Sequence, residues 1–410
     1  MLVSTTHTSP FSPLRLGPVT LRNRFIKAGA NEGMTPDGMP TKALVKHHRD
    51  VAAGGVAMTT VAYGAVSPQG RTFLHQFYLS REVVRHLRVL TDAVHAEGAA
   101  ACLQITHGGS FTALRPSSGR PQSASSGFNA FGFLHGILLQ QAMSETDMYR
   151  VAGEFAQAAV LAREAGFDAV EIHMGHGYLL NQFLSPLTNR RVDSYGGSTE
   201  GRSRFPAMVL RRVKEAVGAH LAVGCKLNQT DAARGGIDAK QASVTAKILQ
   251  DNGADILTLS GGHNIFSPWA LFGSPMPLAD MRAQARGLGR IGVWALTMQQ
   301  PKALAFRELY FLEHARQVRR AVSMPLALVG GVKSLAAAQR VIDEGFEGVA
   351  LARALIHNPA FVNDLQDARV ISSGCTSCNR CVMGIYDPSG VRCVLNDDND
   401  PGLSKRLAAD

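Results

Sequence analysis

The chain has 410 residues, about the upper range of one barrel-type α/β domain with insertions and long enough to bury a large core. Hydrophobic residues at 45% and charged residues at 18% exclude intrinsic disorder, and 41 glycines without a regular period exclude a fibrous repeat. The formal charge of +10 permits attraction to phosphate groups, but the basic residues are scattered, so no nucleic-acid partner is expected.

No apolar run reaches the roughly 18 residues that span a bilayer, and the N-terminus has no basic start followed by an apolar core. A cytoplasmic enzyme without stable membrane association is therefore expected. Six cysteines are too few for a disulfide scaffold, yet four of them fall between positions 375 and 393, a clustering typical of metal sites.

In chain order, short β-leaning apolar runs occupy residues 25–30, 55–61, 99–105, 168–173, 221–227, 254–260, 325–329 and 348–353. Helical patterns lie between them, for example at 80–97, 145–165, 201–217, 239–252, 311–322 and 334–344. Glycine follows several of these, as Gly166, Gly253 and Gly345, where a left-handed helix stop favours a residue without a Cβ. Eight strands alternating with helices predict a parallel (β/α)8 TIM barrel. The alternative is a doubly wound open sheet, but no G-x-G-x-x-G follows the first strand.

Three segments break the rhythm. Residues 110–143, rich in Ser, Gly and Phe, form a long loop after the third strand. Residues 265–310 follow the sixth strand and carry both tryptophans, Trp269 and Trp294; their apolar content predicts a lid-like insertion, an active-site cover or an assembly surface. The third is a Cys-rich C-terminal extension. The expected organisation is thus a barrel over 1–370 and an extension over 371–410.

Barrel chemistry sits at the C-terminal ends of the strands. There, after the fourth strand, E-I-H-M-G-H-G-Y places His173, His176 and Tyr178 within six residues. Two imidazoles and a phenol can hydrogen-bond one carbonyl oxygen and supply a proton beside it, although such a His pair also suits polar packing or a metal. The string continues as S-P-L-T-N-R-R-V-D-S-Y-G-G-S from Ser185, with Arg202 beyond it. Further motifs are L-R-N-R-F-I-K-A-G-A-N at the first strand, A-V-S-P-Q-G-R after the second, L-Q-I-T-H-G-G after the third and V-G-G-V after the seventh.

Taken together, these ordered motifs resemble the old yellow enzyme family of FMN-dependent NAD(P)H:flavin oxidoreductases, over roughly residues 10–365. The resemblance is to the 2,4-dienoyl-CoA reductase branch, without its C-terminal nucleotide-binding domains. It implies an ene-reductase: FMN at the barrel mouth, NAD(P)H as hydride donor, and an α,β-unsaturated carbonyl or enoyl compound as the small-molecule acceptor, in ping-pong order. In that scheme His173 and His176 hold the substrate carbonyl, hydride passes from flavin N5 to the β-carbon, and Tyr178 protonates the α-carbon.

The resemblance also assigns the cofactor site. Ala28, Gly29 and Ala30 line the flavin face, and Gln104 pairs with the pyrimidine edge. Lys226 stands where the family carries arginine near N1 and O2, keeping the charge without the planar fork. Gly330, Gly331 and Arg353 serve the phosphate, with Ala352 in place of the usual glycine before the arginine. Asn31 takes a place near flavin O4 that relatives fill with Cys or Thr, Tyr63 and Ala62 replace a Glu-Ala pair, and Ser110 replaces an arginine. His263 sits roughly where the dienoyl-CoA reductase branch places a catalytic histidine, so it is a candidate substrate residue, or else a solvated loop histidine.

Cys375, Cys378, Cys381 and Cys393, spaced x2, x2 and x11, are the candidate metal ligands. The same branch holds a 4Fe-4S cluster on a run with one more residue between its second and third cysteines; zinc or no metal are the alternatives. With no further domain read before Asp410, such a cluster would be structural, vestigial or fed by an electron-donor protein. Cys102 and Cys225 read as core thiols. A homo-oligomer is compatible with the sequence. Two other readings are an FMN-dependent dehydrogenase or demethylase of the trimethylamine dehydrogenase type and a tRNA dihydrouridine synthase-like barrel. The latter is disfavoured because Cys102 precedes Gln104 inside a strand and does not occupy a loop.

Overall fold

In the computed structural model, which describes residues 8–117, 119–387 and 389–396, eight parallel strands close into a barrel. They are β1 (Phe25–Lys27), β2 (Met58–Ala65), β3 (Ala100–Thr106), β4 (Ala169–Met174), β5 (Ala222–Asn228), β6 (Ile256–Ser260), β7 (Leu326–Val329) and β8 (Gly348–Leu351). Each strand pairs with its neighbours in sequence, and β8 closes on β1 with Val349, Ala350 and Leu351 opposite Phe25, Ile26 and Lys27. Strands buried on both faces read as nearly continuous apolar runs, so all eight were visible in the sequence.

The main outer helices are α1 (Lys42–Ala53), α2 (Arg81–Ala96), α3 (Glu145–Glu164), α4 (Thr199–Val217), α5 (Ala239–Asp251), α6 (Leu312–Ala321) and α7 (Leu335–Asp343). Six of these seven start on a side-chain cap, from Thr41, Ser80, Ser144, Ser198, Asp238 and Ser334 in turn. Each cap satisfies an orphan backbone N–H and contributes about 1 kcal/mol. α6 has none; ion pairs from Arg316 to Glu344 and from Arg319 to Glu347 fasten it to the next α/β unit instead.

The barrel floor is plugged by an N-terminal hairpin, Leu14–Leu16 with Val19–Leu21, whose leucines pack on Ile26, Met58, Cys102, Ala169, Ala222 and Ile256. Cys102 and Cys225 are buried free thiols, as the sequence suggested. The opposite end stays open. Two of the expected interruptions converge there and contain local structure: Gln122–Ser123, Gly127–Phe128 and Leu139–Ala142 form a small sheet, and three short helices, Pro268–Phe272, Leu278–Gln284 and Gly289–Gln299, fill the segment after β6. The Cys-bearing segment returns along α7 through a bridge between Ser334 and Ser372. Of the two expected units, residues 1–7 and 397–410 lie outside the described residues. No helix among the described residues is long and apolar enough to cross a membrane.

Candidate active site

At the C-terminal mouth of the barrel lies a cavity of about 1030 Å³, large enough for a nucleotide-sized cofactor and a further small molecule. Its walls include Ala28, Gly29, Ala30 and Asn31 after β1, Tyr63 on β2, Gln104 on β3, His173, His176 and Tyr178 at the end of β4, Lys226 on β5, and Gly331, Ala352 and Arg353 after β7 and β8. Gly330 lies one residue behind this wall, packed on Phe311.

One polar end is built by β3, β4 and β5. Gln104 donates from Nε2 to Glu171 Oε1 at 2.6 Å, and Lys226 Nζ donates to the Gly29 carbonyl at 2.8 Å while lying 3.9 Å from the same carboxylate oxygen. Burial lowers the Lys226 pKa, and the Glu171 carboxylate opposes that shift. A Cβ at Gly29 would stand 2.6 Å from Gln104 Nε2, so any larger residue would push the Gln104 amide aside. Glu171 was not singled out from the sequence. Its signal was a carboxylate inside the apolar strand A-V-E-I-H-M, which demands a buried partner.

The second polar group crowns β4. The His173 and His176 ring centroids lie 5.0 Å apart and nearly perpendicular, and Tyr178 lies 4.6 Å from His173. His176 takes a left-handed conformation, φ 61°, and Gly177 follows at φ 89°; this double turn lets three side chains within six residues share one wall. Any Cβ at Gly177 would stand 2.5 Å from the His263 ring.

His173 Nδ1 accepts the Gly175 N–H at 3.2 Å, which leaves the proton of the neutral imidazole on Nε2 as a donor. His176 Nε2 pairs with Ser260 Oγ at 2.8 Å. Burial pushes both imidazoles well below the usual histidine range, helped by the neighbouring His176 and Lys226 charges at His173 and by Lys226 and His263 at His176. Tyr178 packs between Tyr63 and Phe111, with centroids at 5.4 and 5.5 Å, and Tyr63 is held by a hydroxyl contact to Thr72 at 2.9 Å. Burial raises the Tyr63 pKa.

The third polar end lies across the mouth. Arg353 donates to Ser274 Oγ at 3.0 Å, Asn379 Oδ1 at 2.6 Å and the Phe272 carbonyl at 2.7 Å, with its guanidinium over the Phe272 and Phe306 rings. No carboxylate neutralises it among its described partners, so the charge is available to an anion.

His263 does not line the cavity. It is buried beneath Gly177, with Nδ1 accepting the Ile265 N–H at 3.1 Å and Nε2 without a hydrogen-bond partner, and burial lowers its pKa to about 4. It is no solvated loop histidine; its backbone bridges His176, so it buttresses the β4 turn. Of the cysteines, Cys375 and Cys381 line the cavity and Cys378 and Cys393 do not. Burial raises the Cys381 thiol to about 12. No group of three His, Cys, Asp or Glu side chains among the described residues is arranged around a point where a metal ion would sit.

Two further networks escaped the sequence reading. Behind β1, Lys27 pairs with Glu32, which also accepts the Ala62 N–H at 3.1 Å and lies 3.3 Å from His48 Nε2. Burial raises the Glu32 pKa, but Lys27 and the His48 side chain outweigh it and hold the carboxyl down to about 2. Behind β4, Asp231 accepts from Ser185 at 2.6 Å, Asn228 at 2.8 Å and the Ile237 N–H at 3.0 Å, and lies 3.5 Å from Asn181. This ties the conspicuous string after His176 to β5.

A (β/α)8 barrel with a polar cluster at β3–β5, a paired-imidazole wall at β4 and, at β8, a guanidinium that no carboxylate neutralises among its described partners is the framework of a flavin-type oxidoreductase. The profile of the NADH:flavin oxidoreductase / NADH oxidase family matches residues 9–265, and the chain belongs to that family. It is 40% identical over 395 residues to a 4,4'-dithiodibutanoate disulfide reductase of Rhodococcus erythropolis, covering 95% of both chains. It is 30% identical to an NADH oxidase of Thermoanaerobacter brockii, spanning 94% of this chain and 55% of that protein. Among solved structures, morphinone reductase in complex with tetrahydroNAD superposes with TM-score 0.68 at 23% identity over 91% of this chain and 94% of that one. A 2-naphthoyl-CoA reductase superposes with TM-score 0.79 at 20% identity, over 97% of this chain and 57% of that one; both likenesses establish the fold.

Proposed function

We propose that this NAD(P)H:flavin oxidoreductase is an ene-reductase acting on an α,β-unsaturated carbonyl or enoyl compound. The observation that carries this reading is the wall of His173, His176 and Tyr178 facing the same cavity as Gln104 and Lys226. The residues present suit FMN: an amide and a cation for the ring edge at one end, and Arg353 beside Gly331 for a phosphate at the other. When bound, FMN supplies two-electron transfer between a nicotinamide and the acceptor.

The chain's own part is binding and proton handling. Gly29 lets the ring approach the backbone, and Gln104, fixed by Glu171, reads its edge. Lys226 sets a positive charge where a reduced ring gathers negative charge. Neutral His173, donating from Nε2, and His176, linked to Ser260, hold the acceptor carbonyl and stabilise the enolate that develops on it. Tyr178 delivers a proton to the α-carbon from its hydroxyl. The test is anaerobic: protein reduced with NAD(P)H is mixed with an enone panel, and reoxidation with one saturated product per reduced flavin supports the reading, whereas no reoxidation by any enone opposes it.

A second reading is favoured by the relative that covers 95% of both chains, whose name makes it a disulfide reductase. The same cavity would pass two electrons and two protons to an organic disulfide, giving two thiols. Mixing the reduced protein with 4,4'-dithiodibutanoate and counting thiols distinguishes the two.

Within this proposal Cys375, Cys378, Cys381 and Cys393 remain cluster ligands by virtue of their soft thiolate donors and their x2, x2, x11 spacing. Their side chains as described do not enclose an ion, so no catalytic step is assigned to a cluster. Iron and acid-labile sulfide analysis of anaerobically purified protein tests it; zinc without sulfide removes it.

A further inference from the structure

The charge lining the cavity is one-sided. Lys226, Arg286, Lys333 and Arg353 line it, and no Asp or Glu side chain does among its described lining residues. Lys226 is buried with Glu171 3.9 Å away, Lys333 and Arg353 are half-buried, and Arg286 is exposed at the rim, so the cavity presents positive charge to whatever enters it.

Two of the four belong to the cofactor site proposed above, on which this inference rests, and Lys333 lies beside one of them. Lys226 faces the ring edge. Lys333 and Arg353 lie at the phosphate end together, their charges 5.2 and 5.6 Å from the centre of the same Phe306 ring. Arg286 is left over. It belongs to the segment after β6, between the helices Leu278–Gln284 and Gly289–Gln299, and among the described residues its guanidinium reaches only the carbonyls of Ala283 at 3.2 Å and Ala285 at 3.4 Å.

The surroundings of Arg286 separate it from the cofactor's polar ends. The same segment and its neighbours offer the cavity Phe131, Ile265, Phe266, Met281, Ile291 and Leu296, an apolar wall that suits a carbon chain or ring. Residues 281–307 carry Arg282, Arg286, Arg290, Lys302 and Arg307 between the flanking Asp280 and Glu308, so this segment is net positive, and of its cations Arg286 lines the cavity. Such a field raises the encounter rate of anions.

We propose that Arg286 is a specificity residue: it receives the carboxylate of a substrate whose apolar body lies along this wall and whose reducible group reaches His173 and His176. A planar guanidinium fork at the open end selects acids over the corresponding esters and amides without touching the reacting atoms.

The test uses FMN-loaded protein at low ionic strength and the visible spectrum of the bound flavin as readout, with no turnover. The probes are phloretate, a phenol bearing a propanoate arm, and its methyl ester. The phenol addresses the imidazole pair in both, and only the acid addresses Arg286. Wild type is expected to bind the acid about five-fold more tightly than the ester, the value of one well-placed exposed ion pair. Arg286→Gln is expected to bind both equally at the ester's wild-type affinity, and Arg286→Lys to retain part of the preference. Equal affinities in wild type, or a preference that survives in Arg286→Gln, overturns the proposal. If the ester perturbs the flavin and the acid gains nothing, Arg286 alone is misassigned. If neither phenol perturbs it, the imidazole-pair reading fails, and this proposal with it.

Discussion

Lys226 Nζ donates to the carbonyl oxygen of Gly29 across 2.8 Å, tying the end of β5 to the loop that follows β1 on the far side of the barrel mouth. This contact fixes both the cation and a backbone segment where a Cβ would press on Gln104. Lys226→Met removes the charge but keeps the length. It is expected to lower the two-electron potential of the bound flavin by about 30 mV or more, equivalent to ~1.4 kcal/mol. Equilibration with redox dyes measures it; an unchanged or raised potential contradicts the assignment.

Gly29→Ala places a methyl group 2.6 Å from Gln104 Nε2 and 2.9 Å from its Cδ. Gln104 has to swing away, breaking its bond to Glu171 and leaving a buried carboxylate short of a donor, a loss of about 1–3 kcal/mol. The expected result is a folded protein with at least tenfold weaker FMN affinity, read from flavin fluorescence on titration. Undiminished affinity would show that this loop does not border the ring.

Tyr178→Phe keeps the packing against Tyr63 and Phe111 and removes only the hydroxyl. Enone reduction is expected to slow by about 10²-fold or more, the usual worth of a positioned general acid. Flavin reduction by NAD(P)H should stay within about threefold. Stopped-flow measurement of the two half-reactions separates these; equal slowing of both would remove Tyr178 as proton donor.

The buried histidines give a pH signature. Burial holds His107 down to about 3 and lowers His48, His173 and His176 as well, so the native state binds fewer protons than the unfolded chain below pH ~6.5. Their contribution is whole above that pH and is lost as pH falls, each group adding a slope of about 1.4 kcal/mol per pH unit. Glu32, held down to about 2, adds a second loss below pH ~4.5. Urea midpoints at pH 8, 6 and 5 are expected to be level at first and then to drop steeply. His107→Asn, which keeps an acceptor for the Gly109 N–H, should flatten the drop by about one proton. A midpoint that does not fall between pH 6 and 5 contradicts this.

The barrel was legible because its strands are buried on both faces and announce themselves as apolar runs. The boundaries were less so. β2 was expected over 55–61 and runs over Met58–Ala65, because Gly55, at φ 106°, belongs to the turn, while Tyr63 looks like a surface residue yet is buried. His173, His176 and Tyr178 could be read together because they share one short turn. Glu171, His48 and Asp231 could not, since Gln104, Glu32 and Ser185 reach them only once the chain has folded, and the short-range Lys27–Glu32 pair matches no helix or strand spacing. A lone charge inside an apolar strand, as in R-F-I-K-A-G, is the trace they did leave.

The most direct measurement is an anaerobic spectral titration of the protein dialysed against excess FMN. One FMN per chain should remain bound, its visible band should bleach with one equivalent of NADH or NADPH, and an enone should restore it stoichiometrically. Folded protein that retains no FMN, or bound FMN that neither nicotinamide bleaches, would contradict the account at its centre.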